Sequence, residues 1–227
     1  MPRLLLVVLI ALLLVPPIAA QQRAQHGRLF PASDLGLLEG PDREVWQRPD
    51  QVMDALGIAE GSIVADLGAA SGWFTIRLAR RVAPNGFVYA EDVQQPMIEV
   101  INRRLLRENL RNVKTVLGDQ ETPKLPPNTL DAILIVDAYH EMEKPVTLLR
   151  NAALALKPDG RIGIVQFSLA GGGPGPPMDE RLDPERVIRE VNAAGLVLLA
   201  RPTFLRYQYM LVFGKPKTAE SAKRPRR

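Results

Sequence analysis

From about position 60 to 215 the chain alternates two hydrophobic rhythms. Short runs rich in apolar residues predict strands: Ile63-Val64-Ala65, Phe87 to Ala90, Leu130 to Val136 and Arg161 to Phe167, with the more polar Asn112 to Leu117 as the third in order. Branched apolar runs of this length suit parallel strands covered on both faces. Between them, apolar residues recur at three- and four-residue spacing, the period of a helix with one buried face. Phe74, Ile76, Leu78, Ala79 and Val82 form one stripe. Met97, Val100, Ile101, Leu105 and Leu106 form another in a helix predicted over 94–109. A helix over 145–156 is stopped by Lys157-Pro158-Asp159-Gly160. The last helix starts with Asp183 as N-cap and Pro184 in its first turn, buries Val187, Ile188, Val191 and Ala194, and ends at Gly195. Two final apolar stretches, 196–200 and 207–213, are expected to pair antiparallel.

Strands alternating with helices imply an α/β fold around a parallel sheet. The stretch from Ser62 to Asp92 organises it: a strand ending in Asp66, a small-residue turn, a helix, and a second strand ending in Glu91-Asp92. The turn, Gly68-Ala69-Ala70-Ser71-Gly72, lets a ligand approach the backbone closely. The first N–H groups of the following helix are free to face it. An acid closing the second strand can accept the hydroxyls of a ribose. This unit suggests a nucleotide-type cofactor site; the alternative is a packed βαβ unit whose small residues serve the core.

VADLGAASGWFT resembles the first motif of class I S-adenosylmethionine-dependent methyltransferases, an acid followed by a G-x-G-x-G turn, with Ala70 in place of the middle glycine. VYAEDV resembles their second-strand motif, and LKPDGRIGIVQF their fifth strand and the turn before it. The likeness spans about Gly40 to Gly214. It implies a Rossmann-like, seven-stranded, mostly parallel sheet with helices on both faces and a C-terminal antiparallel hairpin. It also implies S-adenosylmethionine as cofactor, held by Asp66, Gly68, Ala69, Ala70, Ser71 and Gly72, by Glu91 or Asp92 at the ribose, and by Asp119 and Gln120 at the adenine. Asp137 to His140 would line the reacting end, Asp137 as a further cofactor-binding candidate, with His140 as proton-transfer group and Tyr139 and Glu141 as weaker candidates. His140 is the one histidine inside the domain. A structural, hydrogen-bonded histidine is the alternative, because methyl transfer from a sulfonium needs mainly positioning.

The segment around the domain adds less chemistry. Residues 21–40 read as polar and loop-like, and a helix from Pro49 buries Val52, Met53, Leu56 and Ile58. Arg43 and Trp46 are candidates for a cap over the cofactor, or simple packing residues. The GGGPGPP run within 168–178 is a lid or acceptor loop, or a linker.

Composition narrows the functional classes. The 227 residues suit one domain. There is no cysteine, so no disulfide framework or thiolate metal site exists, and no metal is expected. Residues 1–20, with Arg3, the apolar run Leu4 to Val15 and Ile18-Ala19-Ala20, follow the pattern of a secretory signal. Export is expected, with membrane association if the segment is retained. From Lys215 the chain has six basic residues and one acid, a net +5 against +4 for the whole, so the remainder is near −1. That tail, 215–227, is expected to be disordered, and its charge is no sign of specific nucleic-acid binding. The acceptor, a small molecule or a lipid, and the oligomeric state are beyond the sequence. Two rivals remain: a non-catalytic binding protein on the same fold, and a nicotinamide-dependent oxidoreductase. The hairpin ending and the lack of a Tyr-x-x-x-Lys pair argue against the second.

Overall fold

A computed structural model describes residues 27–217. The signal-like segment and the end of the basic tail lie outside the described residues. Seven strands form one sheet in the order β3-β2-β1-β4-β5-β7-β6. They are β1 (Ile63–Leu67), β2 (Phe87–Asp92), β3 (Val113–Leu117), β4 (Leu130–Val136), β5 (Leu156–Phe167), β6 (Val197–Ala200) and β7 (Gln208–Gly214). The helices are α1 (Arg43–Gln47), α2 (Pro49–Leu56), α3 (Trp73–Val82), α4 (Gln95–Arg107), α5 (Pro145–Ala155) and α6 (Pro184–Ala193). Strands β1 to β5 pair in parallel, and β7 inserts antiparallel between β5 and β6. This is the expected architecture, a mostly parallel sheet closed by an antiparallel C-terminal pair.

The two faces of the sheet carry separate cores. On one, Val52 and Met53 of α2 and Phe74, Leu78 and Val82 of α3 pack on Val64, Val88 and Leu134. On the other, Leu148, Leu149 and Ala152 of α5 and Val187 and Val191 of α6 pack on Ala65, Ile133, Ile135 and Ile164. Alternate residues of each central strand therefore serve opposite cores, as a strand period of two requires.

Three expectations are corrected. In α4 the buried residues are Met97, Ile98, Ile101 and Leu105, while Leu106 is 82% exposed. At about 100° per residue, Leu106 lies half a turn away from Met97. Strand β5 begins at Leu156, not Arg161, because Leu156 already pairs with Leu130 before the register shifts. The second half of the 21–40 segment is not a plain loop: Ala32–Leu38 forms a 3-10 helix.

Helix α2 sits so close to β5 that a Cβ on Gly163 would lie 2.8–3.1 Å from the Leu56 side chain. Gly163→Ala is expected to lower stability by about 1–3 kcal/mol through this overpacking. Adding Leu56→Ala should recover part of the loss, since the two sites share one contact. Urea unfolding of the two single variants and the double variant measures this; strictly additive losses would contradict the packing.

Candidate active site

The strand order turns around between β1 and β4. The connection after β1 enters α3 on one face, while that after β4 leads to α5 on the other. The divergence opens a crevice at the carboxyl ends of the strands, the usual ligand position in open α/β sheets. Here it is a cavity of about 500 Å³. Its walls are the turn after β1, the ends of β2 and β4, the segment from Arg28 to Asp42, α1, and the loop after Phe167.

The turn after β1 is shaped by backbone geometry. Gly68 has φ +76, and a Cβ there would collide with the Ala138 Cβ after β4. No residue with a side chain can bring the two loops this close. Ala70 has φ +47, so the turn uses a left-handed alanine where glycine would be unstrained. That costs about 1–2 kcal/mol. Its N–H donates to Asp92 Oδ2 at 2.9 Å, which ties the turn to the end of β2. Gln94 N–H donates to the other Asp92 oxygen at 2.9 Å.

The walls of the cavity are mostly apolar, and its charged groups are mostly carboxyls. Eight acidic residues line it against two arginines, Arg28 and Arg43, so its field favours cations, with the arginines left to meet an anionic group. Burial lifts Asp66 to about 6, opposed by the Thr75 hydroxyl, which donates to Asp66 Oδ2 at 2.6 Å. Burial, reinforced by Asp92, lifts Glu91 to about 8. Asp92 is also raised by burial, against the pull of its backbone N–H donors. Burial takes Asp137 and Glu141 each to about 7. Arg43 faces Asp137 and Asp66 electrostatically, and its guanidinium lies 4.4 Å from the centre of the Trp73 ring.

Most predicted site residues meet at this cavity: Asp66, Gly68, Ala69, Ala70, Ser71, Glu91, Asp92, Gln120, Asp137 and His140 all line it, as do Arg43 and Trp46. Pro174 to Pro177 also line it, so the proline- and glycine-rich loop is a wall of the cavity rather than a remote linker. Three residues lie elsewhere. Gly72, at φ +76, precedes α3 and faces Ile101 behind the turn. Asp119 does not line the cavity; its Oδ1 accepts the N–H groups of Glu121 and Thr122 at 3.0 and 2.8 Å. It is a turn former, and those donors lower its carboxyl. Tyr139 is fully buried in the core beneath α5 and α6, its hydroxyl donating to Glu190 at 2.8 Å. Tyr139 is thus removed from the reacting end, and burial lifts its phenol far above the ordinary range.

His140 Nδ1 lies 2.9 Å from Gln166 Oε1, which fits a ring whose Nδ1 carries the proton. Other contributors were missed in the sequence. Phe30 is pinned by both backbone groups: its N–H donates to Glu141 Oε2 at 2.8 Å, and its carbonyl accepts from Gln94 Nε2 at 3.0 Å. Gln47 and Gln208 form a buried pair behind α1, with Nε2 of Gln47 donating to Oε1 of Gln208 at 2.6 Å. Gln47 and Gln208 are signalled in the sequence only by polarity among apolar residues, most visibly Gln208 at the start of the final strand, and Phe30 carries no such signal. Among the described residues, no His, Cys, Asp and Glu cluster is arranged to hold a metal ion.

Comparison with known proteins agrees with this geometry. Residues 64–160 match the family model described as "Methyltransferase domain". The chain is 32% identical over 130 residues to the ubiquinone/menaquinone biosynthesis C-methyltransferase UbiE of Pasteurella multocida, covering 55% of this chain and 46% of that protein. It spans about half the length of the curated relatives it matches. A SAM-dependent methyltransferase from Aquifex aeolicus superposes with TM-score 0.78 and 26% identity, over 82% of this chain and 98% of that one. The O-methyltransferase NcsB1, solved with S-adenosyl-L-homocysteine and 1,4-dihydroxy-2-naphthoic acid, shares the fold at TM-score 0.62 and 16% identity, over 77% of this chain and 55% of that one. Together these likenesses support a methyltransferase domain of the class I fold with S-adenosylmethionine as its cofactor.

Two outcomes follow from the carboxyl environment. An acid raised in the folded state binds its proton more tightly there, so stability is greatest below the unfolded value and falls as pH rises through the folded one. For Glu91 that window runs from its ordinary 4.5 to about 8. Ligand-free protein should therefore melt at lower temperature at pH 8 than at pH 5, and Glu91→Gln should flatten the slope and raise the midpoint at pH 8. A steeper slope in the variant would contradict this. Tyr139→Phe should cost about 1–3 kcal/mol in chemical denaturation through the lost Glu190 bond and leave cofactor affinity unchanged.

Proposed function

We propose that this chain, on the class I methyltransferase domain that its fold and residues 64–160 support, moves the methyl group of S-adenosylmethionine to a small acceptor. One arrangement carries the reading: the Gly68 turn and the Asp92 carboxylate, joined through the Ala70 N–H, frame the inner wall of an acidic cavity. The cavity chemistry fits the cofactor. The molecule carries a positive sulfonium and a positive amino group, and the lining is rich in carboxyls. Its one carboxylate has Arg43 as a partner. Gly68 leaves space for close backbone approach, and Asp92 stands where a ribose diol would be accepted. Bound there, the cofactor supplies an activated methyl group with a good leaving group. The chain supplies position, exclusion of water and a field matched to positive charge.

The cavity also offers apolar walls for an acceptor. Leu29, Phe30, Leu38, Phe74 and Phe167 line it, which suits a small hydrophobic or lipid-like molecule. The relatives named for ubiquinone and menaquinone biosynthesis act on molecules of that character, which supports the same class here. The Phe30 clamp makes the segment from Arg28 to Asp42 a cover over this space. The signal-like residues 1–20 support an exported enzyme, one that depends on cofactor reaching its compartment. Ala70 does not favour the rival reading of a decayed binding module, because the turn adopts its left-handed form despite the methyl group.

Asp92→Ala should weaken S-adenosylhomocysteine binding tenfold or more, at least about 1.4 kcal/mol, as expected for loss of charged hydrogen bonds. Calorimetry on protein shown by circular dichroism to be folded measures it. An unchanged Kd would remove Asp92 from the ribose and with it the central assignment.

A further inference from the structure

Two carboxylates of the cavity, Glu91 and Asp137, are each held by only one of their two oxygens, and Asp137 is the one on the loop after β4. Asp137 follows β4 with φ +54, a left-handed conformation that costs a non-glycine residue about 1–3 kcal/mol and concentrates at working sites. Its N–H is fixed on the Val165 carbonyl at 2.9 Å. Its Oδ2 accepts from Gln208 Nε2 at 2.7 Å, and Gln208 in turn accepts from Gln47 at 2.6 Å. Both glutamines are buried. This row of amides runs from α1 through β7 and sets the rotation of the carboxylate. Asp137 Oδ1 is buried and has no hydrogen-bond partner. The Trp46 Nε1–H, on another wall of the same cavity, is likewise without an acceptor. Buried polar atoms left unpaired are uncommon and call for an explanation. Both residues line the cavity, and the unpaired Asp137 Oδ1 leaves an acceptor for a ligand's donor, such as a hydroxyl.

We propose that Asp137 accepts the proton of a neutral, hydroxyl-bearing apolar acceptor, and that Gln208 and Gln47 are positioning residues that hold its carboxylate for the task. The proposal rests on the methyl-transfer reading and names its acceptor class. The acidic lining argues that the acceptor arrives uncharged, since a phenolate, carboxylate or phosphate would be repelled. A neutral hydroxyl is a poor nucleophile, so its proton must leave as the new bond forms. The O–H bond breaks and its proton bonds to Asp137 Oδ1. The freed oxygen pair becomes the bond to the methyl carbon, and the pair of the broken carbon–sulfur bond remains on sulfur. Burial raises Asp137 to about 7, within the range suited to a base at neutral pH. Arg43 and Arg181 pull it down, as does the Gln208 amide, while Glu141 and Tyr209 are the other ionisable groups coupled to it. The ionised form is the base, so proton acceptance strengthens as pH rises through about 7.

The test needs no natural acceptor. The full chain, labelled with carboxyl carbon-13 in aspartate, is titrated by NMR, with Asp137→Asn identifying the resonance. S-Adenosylhomocysteine affinity is measured in parallel. Expected are an Asp137 titration near pH 7, a midpoint about one pH unit higher in Gln208→Leu through loss of a charged hydrogen bond, and a cofactor Kd in Asp137→Asn within twofold of wild type. A merely structural Gln208 would leave that midpoint in place. An Asp137 that stays ionised down to pH 5 overturns the proposal. A tenfold loss of cofactor affinity in Asp137→Asn also overturns it and assigns the residue to the cofactor. Wild-type protein that binds no S-adenosylhomocysteine fails the methyl-transfer reading itself, an outcome the titration does not depend on. If Asp137→Asn fails to fold, Asp137→Glu removes the labelled aspartate resonance instead and identifies it, and Gln208→Leu then decides through that resonance.

Discussion

The contact between Gly68 and Ala138 is the constraint on which the site depends. It joins the turn after β1 to the loop after β4, the two strands whose connections depart to opposite faces of the sheet. With no Cβ at position 68, these loops close the floor of the crevice without separating β1 from β4. Everything with chemical interest hangs from the two loops. Ala70 and Asp92 are tied on one side, and Asp137 and His140 follow on the other. The left-handed conformations at Ala70 and Asp137 show where the backbone is bent to serve this junction.

Electrostatics then gives the junction its selectivity. Burying several carboxyls together is unfavourable, and the protein meets that cost by raising their proton affinities. Asp66, Glu91, Asp137 and Glu141 all titrate between about 6 and 8. Such a cluster is poised to ionise when a cation enters, so ligand binding and carboxyl ionisation support one another. A sulfonium cofactor fits this logic. Glu91 fits it least directly, because its Oε1 packs against Gly118 and has no hydrogen-bond partner.

The sheet was legible in the sequence because its signals are local. A run of branched apolar residues ending in an acid identifies a buried strand and its carboxyl end, which places Asp66, Asp92 and Asp137 at one edge. The side chains around that edge were less legible. Tyr139 and His140 are adjacent, yet one enters the core and the other the cavity: both lie in a short 3-10 turn over Tyr139–Glu141, where neighbours stand about 120° apart, a turn the sequence did not announce. Asp119 matched a motif position, and its Oδ1 accepts two backbone N–H groups of its own turn while Oδ2 lies 3.5 Å from Lys124, contacts the motif does not announce. The Gln47–Gln208 pair spans 161 positions and depends on β7 inserting beside β5, a long-range pairing with no local trace. The Phe30 clamp is hidden for the same reason, since its partners are Gln94 and Glu141.

The central claim is that the acidic crevice at the β1–β4 junction is built for S-adenosylmethionine. Isothermal titration of the full chain with S-adenosylhomocysteine, and separately with NAD, tests it most directly. The account predicts saturable one-to-one binding of the sulfur ligand with a Kd on the order of micromolar, about −8 kcal/mol, and no heat with NAD. Binding of NAD, or no binding of S-adenosylhomocysteine by folded protein, would contradict it.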